Sequence, residues 1–323
     1  FAEQELTLKV ISGDNQDTVG AIAERAGLRI DGDPIDAREL PDGDDLDGLA
    51  YVLESNTVFG RVVPQQKQAI VRALQSRGHV VAMTGDGVND VLALKDAELG
   101  ISMGSGREAT RSVADLVLTD DKFSSLPVVV NEGRKVINNV ERVANLFVAK
   151  AAYAVLLTFV VSLLNSPFPF LPRQLTLIGT FSIGVPGFFL ALAPEVDLVR
   201  PGFLRRVLWF AVPAGVAAGT ATLVAYELAL EYIEVDVDEA RTLATVTLLS
   251  IGLVILAVTS RPLRSWKIGL VIGMGVGYGV VFVVPWLRDY FQLEVFASTA
   301  WWYAAGAVVA AGAFIVAIPT LFR

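Results

Sequence analysis

The sequence has no cysteine, a single histidine and few charged residues for its length. Of its 323 residues, 53% are hydrophobic and 19% are charged, and the mean hydropathy is +0.54. Without cysteine the chain cannot form a disulfide framework or a thiolate metal site. Soluble domains average about 45–50% apolar and about 25% charged residues. The composition therefore favours a membrane protein, and the net charge of −8 argues against nucleic acid as a partner.

The charged residues are unevenly distributed along the chain. Residues 1–140 carry 14 basic and 23 acidic side chains, whereas residues 141–323 carry 12 and 11. We therefore predict two domains, a cytosolic one over residues 1–137 and a transmembrane one over residues 138–323. Because the chain begins at Phe1 and reaches an apolar strand pattern at once, we expect it to be a fragment.

The first domain alternates short apolar runs with helical patterns, which is typical of βαβ units and a parallel sheet. The acidic segment Asp31–Asp47 contains Pro34 and Pro41, and we interpret it as a solvent-exposed loop. The remaining pattern predicts an α/β, Rossmann-like fold. Its predicted strands span residues 6–11, 57–63, 79–83, 100–103 and 116–119, and its predicted helices span 18–26 and 65–75.

Six apolar stretches follow, each near the length of about 20 residues that crosses about 30 Å of hydrocarbon. They predict an all-α bundle with spans at about 144–163, 171–193, 207–230, 242–260, 267–287 and 298–320. Basic loops face the cytoplasm. The basic residues in the loops after the second and fourth spans are Arg200, Arg205, Arg206, Arg261, Arg264 and Lys267. We therefore place residues 1–140 and the carboxyl-terminal Arg323 on the cytoplasmic side.

Polar residues gather where the predicted strands end. The third strand runs into the glycine-rich turn Thr84–Asp90, which carries the carboxylates of Asp86 and Asp90. Two carboxylates at the carboxyl edge of a parallel sheet can bind a hard cation, and Mg²⁺ fits best. Ser12 follows the first strand, and Lys67 lies at the start of the helix that follows the second. A hydroxyl, a fixed positive charge and two carboxylates suit phosphoryl transfer.

These segments and their order resemble P-type cation-transporting ATPases. The resemblance runs from about Val10 to Pro194 and implies a haloacid-dehalogenase-like phosphorylation domain, ATP as the substrate and an aspartyl-phosphate intermediate. The segments that carry it are Ser12-Gly13-Asp14-Asn15, Gly60-Arg61-Val62-Val63-Pro64 with Lys67, Thr84 to Asp90, Asp120-Asp121-Lys122-Phe123 and Asn138-Asn139.

The resemblance also implies roles for individual residues. Asp86 resembles the family's Mg²⁺ ligand, and Asp90 resembles the carboxylate that supports it. Lys67 resembles the lysine that contacts the transferred phosphoryl group, and Ser12 resembles the hydroxyl beside it. The residues implied to bind the nucleotide or its phosphates are Ser12, Gly13, Asp14, Arg61, Lys67 and Asn89.

Several parts of the family pattern are missing from this sequence. The family phosphorylates an aspartate in a DKTGT motif, and it has a nucleotide-binding insertion, an actuator domain and four earlier spans. The chain resembles the last two-fifths of such a pump, so we expect it to be inactive without the missing amino-terminal part of the same protein. Six spans after the phosphorylation domain resemble calcium, sodium–potassium and proton pumps rather than heavy-metal pumps.

The family's charged ion ligands are absent from the first two spans. Gap-free counting places Ala151, Ala154, Gly179 and Ile183 at their positions. The candidates that remain for the transport site are Lys150, Tyr153, Thr176, Thr180 and Ser182, together with carbonyls freed near Gly184-Val185-Pro186-Gly187. Irregular backbone in a membrane is tolerated mainly where it lines a cavity. Hydroxyls in spans can instead pack helices or donate to their own backbone.

Lys150 lies about two turns into the first span. An ionisable residue at that depth is costly and usually functional. Its position resembles that of a lysine that acts as an internal cation in proton–potassium pumps. The other interpretation is that its long side chain reaches the cytoplasmic headgroups and takes no part in transport.

We therefore predict ATP-driven cation transport across the plasma membrane by a multi-pass protein, with Mg²⁺ as cofactor. The partners are ATP, the transported cation, the lipid bilayer and the missing amino-terminal part. Ca²⁺ is the first candidate for the ion, and a monovalent cation or a proton is the second. The alternatives from other classes are a non-catalytic membrane subunit or regulator derived from a pump half, and a phosphatase domain fused to an unrelated bundle.

Overall fold

The computed structural model describes residues 1, 4–194, 196, 198–199, 202–296 and 298–321. The chain divides into two compact units, Phe1–Val130 and Asn131–Arg323. Two residues used above to predict the membrane topology, Arg200 and Arg323, lie outside the described residues.

The strands of the first unit are short and parallel. They are β1 (Val10–Ile11), β2 (Ile35–Asp36), β3 (Val58–Gly60), β4 (Ala82–Gly85), β5 (Leu99–Met103) and β6 (Leu116–Leu118). Among the described residues they form two three-stranded sheets, with the orders β1-β3-β2 and β4-β5-β6. All four pairings are parallel, which confirms the predicted α/β class.

Helices connect successive strands, as parallel pairing requires. They are α1 (Gln16–Arg25), α2 (Leu46–Ser55), α3 (Pro64–Ser76), α4 (Val91–Asp96) and α5 (Glu108–Val113), with 3₁₀-helices at Ala37–Glu39, Val88–Asp90 and Phe123–Ser125. Helix α3 begins at Pro64, which has no N–H to satisfy in a first turn. The side chain of Gln66 accepts the Val63 N–H at 3.1 Å and so fixes the start of this helix.

Ile11 joins the cores of the two sheets. It packs against the core of the first sheet, in which Leu53 and Phe59 are fully buried. It also packs against the core around Met83 and Leu94 beside the second sheet. The two sheets therefore share one apolar interior, and the elements that follow β1, β3 and β4 lie within the same unit.

The interpretation of Asp31–Asp47 as a loop was wrong in part. This segment contains the edge strand β2 and the 3₁₀-helix Ala37–Glu39, and α2 begins at Leu46. Strand β2 forms because Ile35 pairs with Phe59 in the β3 register, and Asp36 is buried beside arginines that balance its charge. The many surrounding acids concealed this strand in the sequence.

Two predicted strands are also shorter than the apolar runs that suggested them. The run over residues 6–11 forms a strand only at Val10–Ile11. The run over residues 57–63 ends as a strand at Gly60, because Arg61 adopts a left-handed backbone with a φ of 54°. Extended apolar sequence therefore overstates the length of both strands.

From Phe123 onward, the described residues contain six helical segments that are long and apolar enough to cross a membrane, which confirms the predicted number of spans. Their bounds are Phe123–Leu164, Pro172–Ala191, Phe203–Glu231, Val237–Thr259, Ser265–Val283 and Ala300–Leu321. The chain is thus a multi-pass membrane protein. Its helices in this part are α6 (Leu126–Leu164), α7 (Pro172–Gly179), α8 (Val185–Ala191), α9 (Phe203–Glu231), α10 (Val237–Thr259), α11 (Ser265–Val283), α12 (Pro285–Phe291) and α13 (Ala300–Leu321).

The second span does not break at the prolyl-glycyl pair, because it stays helical from Pro172 to Ala191, but its hydrogen bonding changes in the middle. The α-helical geometry stops at Gly179, and Thr180–Gly184 forms a π-helix before α8. Within it the Val185 N–H donates to the Thr180 carbonyl. The next residue, Pro186, has no N–H and disfavours a regular helix before it. π-helical turns are frequent at functional sites, and this one adjoins the cavity described below.

Candidate functional site

The residues predicted for phosphoryl transfer lie at the carboxyl ends of strands in the first unit. Ser12 follows β1, Lys67 lies in the first turn of the helix after β3, and Asp86 directly follows β4. Parallel sheets present ligand sites at this edge because the strand ends and the helix starts meet there. We predict that these residues form one catalytic region, and we refer to Ser12–Asp14, Arg61, Lys67 and Asp86–Asp90 as the catalytic corner.

The structure pairs Lys67 with Asp90. The Lys67 Nζ donates to Asp90 Oδ1 at 2.6 Å, and their side chains are only 13% and 9% exposed. The other carboxylate oxygen of Asp90 accepts the Gly87 N–H at 3.2 Å. Charge-assisted hydrogen bonds of this length are among the strong ones. Asp90 therefore holds both the lysine and the glycine-rich turn in fixed positions.

The turn that carries Asp86 is anchored through its backbone. The Asp86 carbonyl accepts the Arg107 N–H at 3.0 Å, and the Gly87 carbonyl accepts the Thr110 hydroxyl at 2.9 Å. The Asp86 side chain itself is exposed. An exposed carboxylate on a rigid turn at the sheet edge has the oxygen chemistry that Mg²⁺ prefers.

Few side chains of the catalytic corner could bind a metal ion. Within the described ranges no group of three or more His, Cys, Asp and Glu side chains could hold a metal ion. Mg²⁺ usually keeps several waters and takes one or two carboxylates together with substrate phosphates. Asp86, with Asp90 four residues later in the same turn, fits that pattern of ligands.

Ser12 and Asp14 form a compact loop with the residues after β3. The Asp14 N–H donates to Ser12 Oγ at 3.2 Å, and the Ser12 hydroxyl lies 3.4 Å from Asp14 Oδ2. The Asp14 carbonyl accepts the Arg61 N–H at 2.6 Å, and the Ser12 carbonyl accepts the Val62 N–H at 2.9 Å. Gly13 lies between them and is exposed. The structure therefore brings Ser12, Asp14 and Arg61 together.

Asp36 is a residue of this region that the sequence analysis missed. It is 6% exposed, and its Oδ2 lies 3.5 Å from Nη1 of Arg61 and 2.6 Å from Nη2 of Arg38. Hydrogen bonds from the Arg38 side chain and backbone lower the pKa of Asp36 to about 2. The signal in the sequence was an aspartate after an apolar residue, two positions before the lone arginine of an acidic run.

The predicted corner residues thus fall into two contact sets. One contains Ser12, Asp14 and Arg61, and the other contains Lys67 and Asp90. The side chains of Asp86 and Asn89 are exposed, and neither is among the described side-chain hydrogen bonds or ion pairs.

The second unit contains a cavity beside the π-helix. Its volume is about 20 Å³, enough for about one water-sized species. Three of the predicted transport residues, Lys150, Tyr153 and Ser182, line it. The Lys150 ammonium comes within 3.6 Å of the position that a Cβ on Gly179 would take. The other lining residues are Leu146, Ala149, Ile178, Ile183, Leu248, Gly252 and Ile255.

Ser182 brings an unsatisfied polar atom to this cavity. The side chain is 7% exposed, and its Oγ is buried with no hydrogen-bond partner among the described residues. A Cβ on Gly252 would lie 2.6 Å from that Oγ, so a larger residue at this point of α10 would displace the hydroxyl. A buried hydroxyl without a partner is costly, and a bound ion or water would satisfy it.

Thr176 and Thr180 are not among the residues that line this cavity. The Thr180 hydroxyl donates to the Thr176 carbonyl at 2.8 Å, and the Thr176 hydroxyl donates to the Pro172 carbonyl at 3.1 Å. Both side chains are exposed. They show the back-bonding that the sequence left open as the alternative to ion binding.

Known proteins match this chain over most of its length. Residues 2–98 match the haloacid dehalogenase-like hydrolase family. The chain is 49% identical over 326 residues to the calcium-transporting ATPase CtpE of Mycobacterium tuberculosis, with 96% of this chain and 40% of that protein covered.

Two further relatives show the same pattern at lower identity. The probable cation-transporting ATPase exp7 of Streptococcus pneumoniae is 33% identical over 90% of this chain and 38% of its own length. A calcium-transporting ATPase of Bacillus subtilis is 32% identical over 74% of this chain and 28% of its own length. The chain therefore spans about two-fifths or less of the length of these relatives.

Proposed function

Because this chain is homologous to P-type cation-transporting ATPases over almost its whole length, we propose that it forms the carboxyl-terminal part of an ATP-driven cation pump. The pump is phosphorylated by ATP on an aspartate outside this chain. It lies in the plasma membrane, with residues 1–140 and the carboxyl terminus on the cytoplasmic side. The match to relatives named as cation-transporting ATPases and the six candidate spans support this proposal.

The ion pair of Lys67 with Asp90 carries the catalytic part of the proposal. It fixes an ammonium group at the carboxyl edge of the sheet, within reach of the turn that carries Asp86. Phosphoryl transfer depends mainly on positioning and on neutralising the charge of the transferred group. Lys67 supplies that charge without reorganisation, because Asp90 holds it before the substrate arrives.

We assign the nucleotide and metal contacts to the remaining residues of the catalytic corner. Ser12, Gly13, Asp14, Arg61 and Asn89 contact ATP or its phosphates, and Asp86 binds Mg²⁺ with Asp90 in support. When bound, Mg²⁺ offsets the negative charge of the phosphates. The exposed Asp86 carboxylate and the rigid turn beneath it support this assignment.

We propose Ca²⁺ as the transported ion, since relatives that match most of this chain are named calcium-transporting ATPases. The ion site includes the cavity at Tyr153 and Ser182, the backbone of the π-helix and residues outside this chain. Lys150 provides a built-in positive charge beside it, which favours a single ion per ATP. Lys150 lines the cavity, which supports this role, and its side chain is also exposed, as anchoring at the headgroups would require.

A monovalent cation or a proton is the second candidate for the ion. None of the ten residues that line the cavity is Asp or Glu, and one of them is a lysine. A divalent ion requires negative charge that these residues do not provide. That charge has to come from outside this chain if the ion is Ca²⁺.

The test of the proposed class is phosphorylation of the complete pump in membrane vesicles. With γ-labelled ATP and Mg²⁺ we expect an acid-stable phosphoenzyme that hydroxylamine cleaves, as an acyl phosphate should be. The isolated chain serves as the control and remains unlabelled. A complete protein that never becomes labelled would instead be a non-catalytic membrane subunit or regulator.

A further inference from the structure

Arg61 has an unusual backbone for a long side chain. It lies in the left-handed region with a φ of 54°. That conformation is unfavourable for residues other than glycine, asparagine and aspartate. It is held by the 2.6 Å hydrogen bond from the Arg61 N–H to the Asp14 carbonyl. A non-glycine residue kept in such a conformation by its surroundings is often part of a functional site.

Gly60, the residue before Arg61, lies very close to the loop that begins at Ser12. A Cβ on Gly60 would lie 2.3 Å from the Gln16 nitrogen and 2.8 Å from the Asp14 carbonyl oxygen. Gly60 therefore allows β3 to approach the loop that begins at Ser12. This close approach fixes the position of the Arg61 backbone. It does not fix the position of the guanidinium.

Asp36 contacts the guanidinium group of Arg61. The β2–β3 register places Asp36 directly opposite Gly60, one residue before Arg61. The Asp36 carboxylate is 3.5 Å from Nη1 of Arg61 and is 7% exposed, whereas the Arg61 side chain is 38% exposed. One edge of the guanidinium therefore faces a buried carboxylate, and a substantial part of the side chain remains open to a ligand.

The Arg61 guanidinium keeps donors that Asp36 does not use. Arg38 and Arg61 share the single carboxylate of Asp36, and Arg38 takes most of its hydrogen bonds, at 2.6 to 3.1 Å. Asp36 and Glu39 together balance the charges of Arg38 and Arg61, so what remains for a ligand is the partly exposed guanidinium of Arg61. Arginine donors that are not used by the carboxylate can bind the oxygen atoms of a nucleotide.

We infer that Asp36 is a positioning residue for nucleotide binding, which orients the Arg61 guanidinium toward ATP while Arg38 balances its charge. The inference rests on the proposed function, in which Arg61 contacts the nucleotide. Asp36 touches Arg61 rather than the substrate. Its loss changes the affinity for ATP and leaves the chemistry at Asp86 and Lys67 intact.

The test uses the complete pump and compares the KM for ATP of three variants. Asp36→Asn retains an acceptor that caps the 3₁₀-helix Ala37–Glu39, and it removes the carboxylate that faces Arg61. We expect it to raise the KM about threefold to fivefold with kcat unchanged, the scale of one partly exposed ion pair. Arg61→Gln raises the KM at least as much. In the double variant the two effects do not add, because they remove the same contact.

Arg29→Gln is the matched control. Arg29 is 92% exposed and pairs with the exposed Asp31, so its loss leaves the Asp36–Arg61 contact in place and the KM stays within about twofold of wild type, as for most surface changes. Phosphorylation by inorganic phosphate, which needs no nucleotide, shows whether each variant is folded. Asp36→Ser, which also caps the helix, replaces Asp36→Asn if the latter cannot be phosphorylated in this way.

The outcomes separate the inference from the proposal on which it rests. The positioning role is wrong if Arg61→Gln raises the KM and Asp36→Asn leaves the KM unchanged or lowers it. It is also wrong if the effects of the two substitutions on the KM add in the double variant. A lower KM would mean that Asp36 acts only by reducing the positive charge. If wild type is phosphorylated and Arg61→Gln has no effect, the assignment of Arg61 fails, and the positioning role fails with it. If wild type forms no phosphoenzyme, the proposed function itself fails.

Discussion

The catalytic corner of the first unit and the cavity of the second unit differ in how their polar groups are paired. In the first unit the Lys67 ammonium has a carboxylate at 2.6 Å, and the Arg61 guanidinium has one at 3.5 Å. In the second unit the hydroxyl of Ser182 has no partner among the described residues, and no carboxylate lines the cavity that it shares with Lys150. The catalytic corner is therefore organised before a ligand arrives, whereas the cavity depends on groups that a ligand or another part of the pump provides.

The comparison predicts where single substitutions act most strongly. A change in the catalytic corner removes a positioned charge and should stop chemistry before any ion moves. A change at the cavity should leave phosphorylation possible and alter transport. The predictions below test that division, and the complete pump is the protein in each experiment.

Asp86→Asn should abolish Mg²⁺-dependent phosphoenzyme formation, because it removes the exposed carboxylate that we assign to the metal. The measurement is incorporation of labelled phosphate from ATP across a Mg²⁺ titration. Asp44→Asn, at an exposed aspartate of the acidic segment, is the control and should behave as wild type. Normal phosphoenzyme levels in Asp86→Asn would remove the metal assignment.

Lys67→Met should lower the rate of phosphorylation by about 10²-fold or more, the scale of losing one preorganised electrostatic contact. It also leaves the buried Asp90 carboxylate without its cation. Rapid-quench measurements of phosphoenzyme formation give the rate. Lys95→Met, at an exposed lysine on α4, is the matched control. Equal rates in Lys67→Met and wild type would mean that the ion pair is structural only.

Gly252→Ala should slow ion-dependent turnover by about tenfold and leave phosphorylation by inorganic phosphate in place. Its methyl group would lie 2.6 Å from Ser182 Oγ, and overpacking of this kind costs about 1–3 kcal/mol. Gly273→Ala on α11 is the control, because nothing lies within 4 Å of its Cβ position. Equal turnover in both variants would show that the cavity at Ser182 takes no part in transport.

Lys150→Ala should lower turnover about threefold to tenfold or make dephosphorylation depend on an added counter-ion, on the scale of about 1 kcal/mol. Lys150→Arg keeps the charge and should retain most of the activity. ATP hydrolysis measured with and without K⁺ or Na⁺ distinguishes the two. If Lys150→Ala matches wild type in both respects, the lysine is an interface anchor.

The effect of Asp36→Asn on the KM for ATP should be the same at pH 6 and pH 8. A lowered pKa means that the carboxylate contributes fully above its ordinary range near pH 4 and loses that contribution only as the pH falls through about 2. Asp36 is therefore fully charged at both values. A ratio of variant to wild-type KM that changes between pH 6 and pH 8 would show that another group controls Arg61.

Much of the catalytic corner could be predicted from the sequence because its residues lie in short motifs. Asp86 and Asp90 are four residues apart in one glycine-rich turn, and Lys67 follows a proline that starts a helix. Asp36 could not be predicted in this way, since its contact with Arg61 depends on the β2–β3 register. The local composition around it, which is mostly acidic, indicates a loop.

In the membrane unit, too, the sequence predicts the helices but not which of their side chains line the cavity. Apolar length alone predicts six spans, and the Pro186-Gly187 pair predicts a break in the second. Which hydroxyls face the cavity depends on the rotation of the helix around its π-turn. That rotation places Ser182 on the cavity wall and leaves Thr180 bonded to its own backbone, and no residue pattern in the span distinguishes the two.

We propose above that this chain belongs to a pump that uses ATP to move Ca²⁺. The most direct measurement is uptake of labelled Ca²⁺ into inside-out membrane vesicles that contain the complete pump, with Lys67→Met vesicles as the background. We expect uptake that requires ATP and Mg²⁺ and is lost in Lys67→Met, and we expect a Ca²⁺ ionophore to release the accumulated ion. Equal Ca²⁺ uptake in both vesicle preparations, or ATP-driven movement of a monovalent cation or protons alone, would contradict this proposal.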